Sequence, residues 1–409
     1  MDKRLVIQSG FNLMANGLPA LFGLLSFRWL GGVLGVEIFG TYILFLAAFG
    51  IYTQIRSGII SAAFIRMTAG KDDIESIVGA SIWISIILAL VGVMITFIIV
   101  FFSDQFTLDY FILSLLAFTS IPSFIAINLN SARGVFQRVA LIRLIETGGF
   151  LLLLITLTND QSTLTEVLLL YALTSVITSI FIIAMNWVPR KLTFGKEQSD
   201  HVRAIWNFGK FTSGTQLVTS LLTNTDVFLI NFFLGSSSVA LYEYGRKWLE
   251  IFEVPFRSLA GVYFTEVSNM NNGNRGKEIW SFITQRALRT SFLSLLILPV
   301  VYYLAPFLIE LISGTRESSS ILVFRILSLL VLFIPFDRFL GLSLDVIGFP
   351  NINFKKGIIL LVTNFLLDIV VIKLGYGIMG VATVSIIFYA VGTCLSFFFF
   401  FIKSIELFS

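Results

Sequence analysis

Only one cysteine and one histidine occur among the 409 residues. Cys394 stands alone in an apolar run, so no internal disulfide, CxxC metal framework or Cys/His nucleophile pair can form, and it reads as a small packing residue. His201 sits among Lys, Arg, Glu and Asp and reads as an ordinary surface residue rather than a pH switch. No HExxH or other zinc pattern is present, and no metal site or catalytic residue is expected. The GK pairs at Gly70, Gly195, Gly209 and Gly276 lack the surroundings of a GxxxxGK[ST] loop, which excludes an internal ATP motor. Charge is also scarce. Only 13% of residues are charged, 56% are hydrophobic and 43 are phenylalanine, far from the balance of a soluble domain. The opening MDKRLVIQSGFNLMANG carries no small-residue cleavage pattern, so the first apolar stretch is expected to be kept as a span.

What remains is long apolar runs. A helix needs about 20 apolar residues to cross a bilayer. Twelve stretches qualify, near 9–31, 38–62, 76–102, 108–130, 140–158, 164–187, 206–234, 239–264, 288–312, 320–344, 354–374 and 377–402. Unbroken runs of this length mean helices and not a barrel. The even-numbered connections carry Arg66 and Lys71; Arg133, Arg138 and Arg143; Arg190, Lys191, Lys196 and Arg203; Arg275, Lys277 and Arg286; Lys355 and Lys356. Lys3, Arg4 and Lys403 flank the ends, whereas the odd-numbered connections hold Glu37, Asp104, Asp109, Asp160 and Glu166 against little more than Arg316 and Lys373. The positive-inside rule then places both termini in the cytoplasm. The expected fold is an all-α polytopic membrane protein, N-in and C-in.

The chain also repeats. An offset of 200 residues lays LGVEIFGTY, from Leu34, on LGSSSVALY, from Leu234, with leucine, glycine and tyrosine coincident. RSGIISAAF from Arg56 meets RSLAGVYF from Arg257, one residue out of step. Both matches fall at the first hairpin of each half, which indicates two parallel six-helix repeats. The expected division is a first lobe over 1–187, a cytoplasmic linker over 188–203 and a second lobe over 204–409.

Charges inside the spans carry the functional signal, because an ionisable group at bilayer depth needs water or a partner. Glu243, Arg246, Lys247, Glu250, Glu253 and Arg257 share one helical face over about 21 Å. That face either lines a water-filled cavity or forms a self-neutralising ladder through i, i+4 pairs. Asp226, flanked by Asn224 and Asn231, lies at the depth of Arg246 and Lys247 across a short hairpin, so pairing with one of them is expected, either fixed or exchanging with substrate. Arg28 and Arg56 have no obvious acidic neighbour in the first-half spans, which makes an anionic ligand a candidate partner; snorkelling is the alternative for Arg28. Arg289 reads as an interfacial anchor, and Arg325, Asp337, Arg338 and Asp368 are further interior charges. Asp337 and Arg338 are adjacent and point different ways, so they are not simply each other's partner.

Three stretches in order carry a family resemblance: LGVEIFGTYILFLAAFGIYTQIRSGIISAAFIR, TDVFLINFFLGSSSVALYEYGRKW and DVIGFPNINFKKGIILLVTNFLLDIVVIKLGYGIMGVATVSI. Together they make the chain similar to the polysaccharide-export branch of the multidrug/oligosaccharidyl-lipid/polysaccharide flippase superfamily, the Wzx-type O-antigen and capsule-unit flippases. Asp226 matches an acidic position of that family, Gly235 and Tyr242 its following hairpin, and Gly377, Gly380 and Ala382 its small-residue opening of the last helix. Arg56 departs from an acidic position and Lys373 from a proline. The resemblance implies two six-helix lobes around a central cavity that opens alternately to either side. It also implies transport, not catalysis, of a polyprenyl-pyrophosphate-linked oligosaccharide across a bacterial inner membrane. Arg28, Arg56, Arg246, Lys247 and Arg257 are the candidate substrate-binding cations, and Asp226, Glu250, Glu253 and Asp368 the ion-pair or coupling candidates. No cofactor is expected, with coupling to H+ or Na+ left open. The expected partners are the lipid-linked glycan, the bilayer and other polysaccharide-assembly membrane proteins, and nucleic acid is not among them. A cation-coupled multidrug exporter of the same fold is the main alternative, and a membrane glycan polymerase a more distant one.

Overall fold

The computed structural model describes residues 3–68, 74–103, 108–189, 196–272, 276–347 and 349–408. Lys71, Asp104, Arg190, Lys191 and Arg275, which enter the loop-charge reading, and much of the expected linker lie outside them. Every regular element among the described residues is helical. In chain order these are α1 (Lys3–Val33), α2 (Gly35–Thr68), α3 (Glu75–Ser103), α4 (Leu108–Thr119), α5 (Ile121–Ala132) and α6 (Phe136–Arg143). A π-turn over Leu144–Gly148 leads into α7 (Gly149–Leu157), followed by α8 (Leu164–Ala184), α9 (Lys196–Leu234), α10 (Ser236–Asn272) and α11 (Gly276–Ser313). Then come α12 (Ser318–Ser328), a 3-10 turn over Leu329–Leu332, α13 (Ile334–Val346), α14 (Pro350–Lys373) and α15 (Gly377–Phe408).

Eight helical stretches among the described residues, with α4–α5 and α6–α7 each taken as one, are long and apolar enough to cross a membrane, and α12 with α13, bent by 42°, make a ninth. The sequence reading of twelve exceeds what length and apolarity alone support among the described residues, and for two helices the reason is charge. α10 carries its stripe of six charges, and α14 carries Lys355, Lys356, Asp368 and Lys373. These are the helices whose polar groups must be met by protein rather than lipid.

The chain forms two compact units, Met1–Ser220 and Leu221–Ser409, so the boundary falls within the continuous helix α9. In the first, Ile60, Phe64, Ile77, Val78, Ile125, Leu129 and Ile205 build a core from α2, α3, α5 and α9. In the second, Ile279, Ile283, Phe339, Leu340, Leu344 and Phe400 do the same from α11, α13 and α15. Large apolar side chains are exposed in quantity, including Leu288, Phe292, Leu293, Leu296, Tyr303 and Phe307 along α11. Ser81, Ser85, Thr178, Ser320, Ser343 and Ser396 are fully buried. Such an inside-out distribution is that of a lipid-bathed helix bundle, where small polar residues mediate close packing.

Local chemistry explains the breaks. Pro122, in the first turn of α5, has no backbone N–H to donate and so separates α4 from α5 at Ser120. The interruption is satisfied inside the protein: Ser179 donates to the Thr119 carbonyl at 2.6 Å. Thr163 and Glu166 close α8 with a reciprocal capping box. The 200-residue repeat is visible in the backbone, since Gly35 and Gly235 both take positive φ, 70° and 85°, where the first hairpin of each half turns. Tyr42 and Tyr242 are both buried seven residues further on.

Candidate functional site

The sequence places Asp226 two turns before the end of α9, and the second unit then surrounds it with neutral donors. Tyr242 on α10 donates its hydroxyl to Asp226 Oδ2 at 2.7 Å. Asn364 on α14 donates to Asp226 Oδ1 at 2.9 Å, and Ser385 on α15 donates to Oδ2 at 3.3 Å. Asn364 Nδ2 also donates to Asp368 Oδ2 at 2.9 Å, so one amide bridges two carboxylates. Both acids are buried, and Asp368 Oδ1 has no hydrogen-bond partner. Among the described residues no cation lies within ion-pair distance of either carboxylate. Two buried carboxylates sharing one amide are stabilised by a proton or a small cation between them. In the first half the residue at the 200-residue offset from Asp226 is Ser26, which is buried without a partner for its hydroxyl.

The expected pairing of Asp226 with Arg246 or Lys247 is corrected by this geometry. The depth argument holds, because Arg246 reaches back across the hairpin to donate to the Thr223 carbonyl. Its ion-pair partner, however, is the buried Glu243 at 2.6 Å, and Lys247 pairs with Glu250 at 2.7 Å. Both are i, i+3 contacts, whereas the ladder alternative of the sequence reading ran through i, i+4 pairs. Glu253 does pair with Arg257 at i, i+4, 3.4 Å, and receives a second guanidinium from Arg338 on α13 at 2.9 Å. The charges on the α10 face thus pair with one another in succession, although Glu243 Oε1 and Arg246 Nε meet without hydrogen-bond geometry.

In the first unit Arg56 is buried on α2. Its Nη1 donates to Ser120 Oγ at 3.0 Å, the hydroxyl at the α4–α5 break. The guanidinium carbon lies 4.4 Å from the Phe124 ring centre and 5.2 Å from that of Tyr52, and Nε has no hydrogen-bond partner. This aromatic cage stabilises a cation by its quadrupoles without neutralising it. Glu146, in the π-turn, acts on Arg56 electrostatically from beyond ion-pair distance and pairs weakly with Arg143 at 3.5 Å. π-turns recur at functional sites. Arg28 is half-buried on α1, its guanidinium alongside Gly32.

Sequence reasoning missed Asn364, Ser385 and Glu146. Asn364 precedes Asp368 by one helical turn, and that i, i+4 spacing of an amide and an acid inside an apolar run was the available signal. Lys356, read as a loop cation, is instead buried and donates to Asp337 at 2.7 Å and Ser396 at 2.8 Å.

Apolar exterior, buried hydroxyls and ionisable groups held at depth define a multi-pass membrane protein. Its fold is shared with a multidrug resistance MATE family transporter of the MOP superfamily in an inward-facing conformation, with a TM-score of 0.73 at 15% identity, covering 97% of this chain and 98% of that one. It is equally similar to the lipid II flippase MurJ in an inward closed conformation, with a TM-score of 0.74 at 17% identity over 97% of this chain and 89% of that one. Residues 6–264 match the family described as polysaccharide biosynthesis protein, and the chain belongs to that family. A probable low-salt glycan biosynthesis flippase of Haloferax volcanii is 23% identical over 223 residues. Those residues are 52% of this chain and 46% of the relative, so the match spans about half the length of that curated relative.

Proposed function

We propose that the protein is a flippase. It carries an undecaprenyl-pyrophosphate-linked oligosaccharide, an O-antigen or capsule repeat unit, from the cytoplasmic to the outer leaflet of a bacterial inner membrane. It works by alternating access, with both termini cytoplasmic. Arg56 is the observation that supports this most directly. A guanidinium buried in a membrane helix, caged by aromatics and without an ion-pair partner among the described residues, suits an anion that arrives and leaves. Arg28, Arg246 and Arg257, with guanidinium forks matched to phosphate oxygens, and Lys247, a point charge, are the further cations of the substrate path.

The Asp226, Asn364 and Asp368 cluster is the coupling site, and the residues fit a monovalent cation, H+ or Na+. Asp368 Oδ1 is buried and unpartnered, and a flip of the Asn364 amide would turn an acceptor toward both carboxylates. Tyr242 and Ser385 supply further oxygens. Glu250 and Glu253, each held by neighbouring cations, keep the α10 face aligned. A multidrug exporter would use the acidic pair for an organic cation. Here Tyr242, Asn364 and Ser385 already fill the space around Asp226, which favours a small ion.

The test is the sidedness of polyprenyl-pyrophosphate oligosaccharides in cells lacking the protein, with wild type or Arg56→Met returned. Accumulation on the cytoplasmic leaflet, relieved by wild type and not by Arg56→Met, is expected. Intermediates already outside, with only drug resistance altered, would replace the flippase reading with the exporter.

A further inference from the structure

Pro306 lies inside α11 and has no backbone N–H, so the carbonyl of Tyr302, four residues earlier, loses its donor within the helix. The donor comes instead from α12: Arg325 Nε lies 3.4 Å from that oxygen. The same guanidinium covers the Tyr302 ring, its carbon 4.5 Å from the ring centre. One side chain thus closes a gap in the neighbouring helix, as irregular backbone at bilayer depth requires. Its bond is long, and its charge is untouched. Neither a carbonyl nor a ring neutralises a cation, and among the described residues no carboxylate lies within ion-pair distance of Arg325 and neither Nη has a hydrogen-bond partner. Glu310, the acid near the end of α11, is taken by Arg316 at 2.7 Å. The uncompensated charge sits on a lipid-facing surface. Leu322 and Leu329, one turn to either side of Arg325, are exposed, as are Tyr302, Tyr303 and Phe307 on α11. Arg325 is seven residues into α12 and Tyr302 eleven before the end of α11, so both lie about 10–16 Å along the helices from the α11–α12 turn. From that depth a long side chain snorkels to the headgroup layer.

We infer that Arg325, with Tyr302 and Tyr303, seats the phosphate of an anionic phospholipid on the outer seam between α11 and α12. The lipid supplies the counter-charge that the protein does not, and its acyl chains lie on Leu322, Leu329 and Phe307. With Nε turned to the Tyr302 carbonyl, the Nη edge is left for one phosphate. The two tyrosine hydroxyls reach toward the same headgroup level. A bilayer phospholipid fits this place better than a transported carrier, because the seam opens on bulk lipid and one free guanidinium edge matches a single phosphodiester. The seated lipid in turn ties α12 to the proline-interrupted part of α11.

Full-length protein in detergent micelles would be titrated with phosphatidylglycerol, phosphatidylcholine and undecaprenyl phosphate, with bound lipid counted by native mass spectrometry and the thermal midpoint read alongside. Wild type should prefer phosphatidylglycerol to phosphatidylcholine and melt higher when it is bound. Arg325→Gln removes the charge and should weaken phosphatidylglycerol binding about fivefold or more, leaving phosphatidylcholine unchanged. Pro306→Ala returns an N–H to the Tyr302 carbonyl, which separates the two roles of the arginine. The double variant Pro306→Ala with Arg325→Gln should therefore fold without the arginine and show the same loss. Pro306→Ala alone, which releases Nε, should bind phosphatidylglycerol at least as well as wild type. If the double variant holds phosphatidylglycerol as tightly as wild type, the arginine serves only the carbonyl and the lipid seat is overturned. It is overturned equally if wild type shows no preference between the two phospholipids. Loss of undecaprenyl phosphate in the arginine variants, with phosphatidylglycerol untouched, would assign the site to the carrier instead.

Discussion

Gly245 offers the sharpest test of how α10 is seated. It lies on the helix that carries the charged face, and a Cβ built there would meet Val323 Cγ1 at 2.7 Å, Phe324 N at 3.0 Å and Ser320 O at 3.0 Å on α12. Two of the three obstacles are backbone atoms, so no rotamer change relieves them. α10 and α12 must separate by several tenths of an ångström to admit even a methyl group, and the bond from Ser320 Oγ to the Leu241 carbonyl, 2.8 Å, stretches with them. Overpacking of this kind costs about 1–3 kcal/mol, and an intramembrane side-chain hydrogen bond about 0.6 kcal/mol. Alanine recovers up to about 1 kcal/mol of helix propensity, so Gly245→Ala should destabilise by about 1–3 kcal/mol net. At about 2–4 °C per kcal/mol for a unit of this size, the midpoint should drop by about 2–12 °C. Gly50→Ala is the matched control: it is also within a helix, but a Cβ there meets nothing within 4 Å. Its midpoint should stay level or rise. Thermal unfolding of the purified proteins in one detergent, followed by tryptophan fluorescence at one scan rate, makes the comparison. If the two variants shift alike, the close approach of α10 and α12 is not what holds the charged face in place.

Arg246→Ala removes the ion-pair partner of buried Glu243 and should cost about 3–5 kcal/mol of stability. The double variant Glu243→Gln with Arg246→Gln should recover most of it, as read by the same melts. Arg246→Ala combined with Lys247→Ala should abolish transport; full transport by that variant would sink the assignment of both to the substrate path. Asp226→Asn should insert normally and lose the dependence of transport on pH or Na+, since the bridged acid pair then carries one carboxylate in place of two. An unchanged ion and pH dependence in vesicles would remove Asp226 as the coupling residue. Arg56→Met keeps the apolar stem in its aromatic cage, so the midpoint should hold while transport falls about tenfold or more.

The positions of Asp226 and its neighbours show where sequence reasoning reaches its limit. Depth along a helix follows from counting, so Asp226, Arg246 and Lys247 were legible as one level of the hairpin, and Arg246 does reach back across it to the Thr223 carbonyl. Facing follows from the helical period, so the six charges of α10 were legible as one stripe. Partner choice follows from neither. Arg246 had Glu243 one turn away on its own helix, and the local contact won over the one across the hairpin. The twelve-span reading weighed hydrophobic length alone; α10 and α14 fall short because their polar groups serve contacts inside the second unit.

By itself the sequence determined that this is a lipid-embedded helix bundle, that its halves repeat through the Leu34 and Leu234 hairpins, and which faces carry charge. All of these are set by composition and by periods of a few residues, which act locally. Only the tertiary structure brought Asn364 across 138 positions and Ser385 across 159 to Asp226, and Arg338 across 85 to Glu253. Those meetings depend on which helices pack together and in what rotation, and that is decided by side-chain fit between distant segments, for which a single chain's periodicity carries no record.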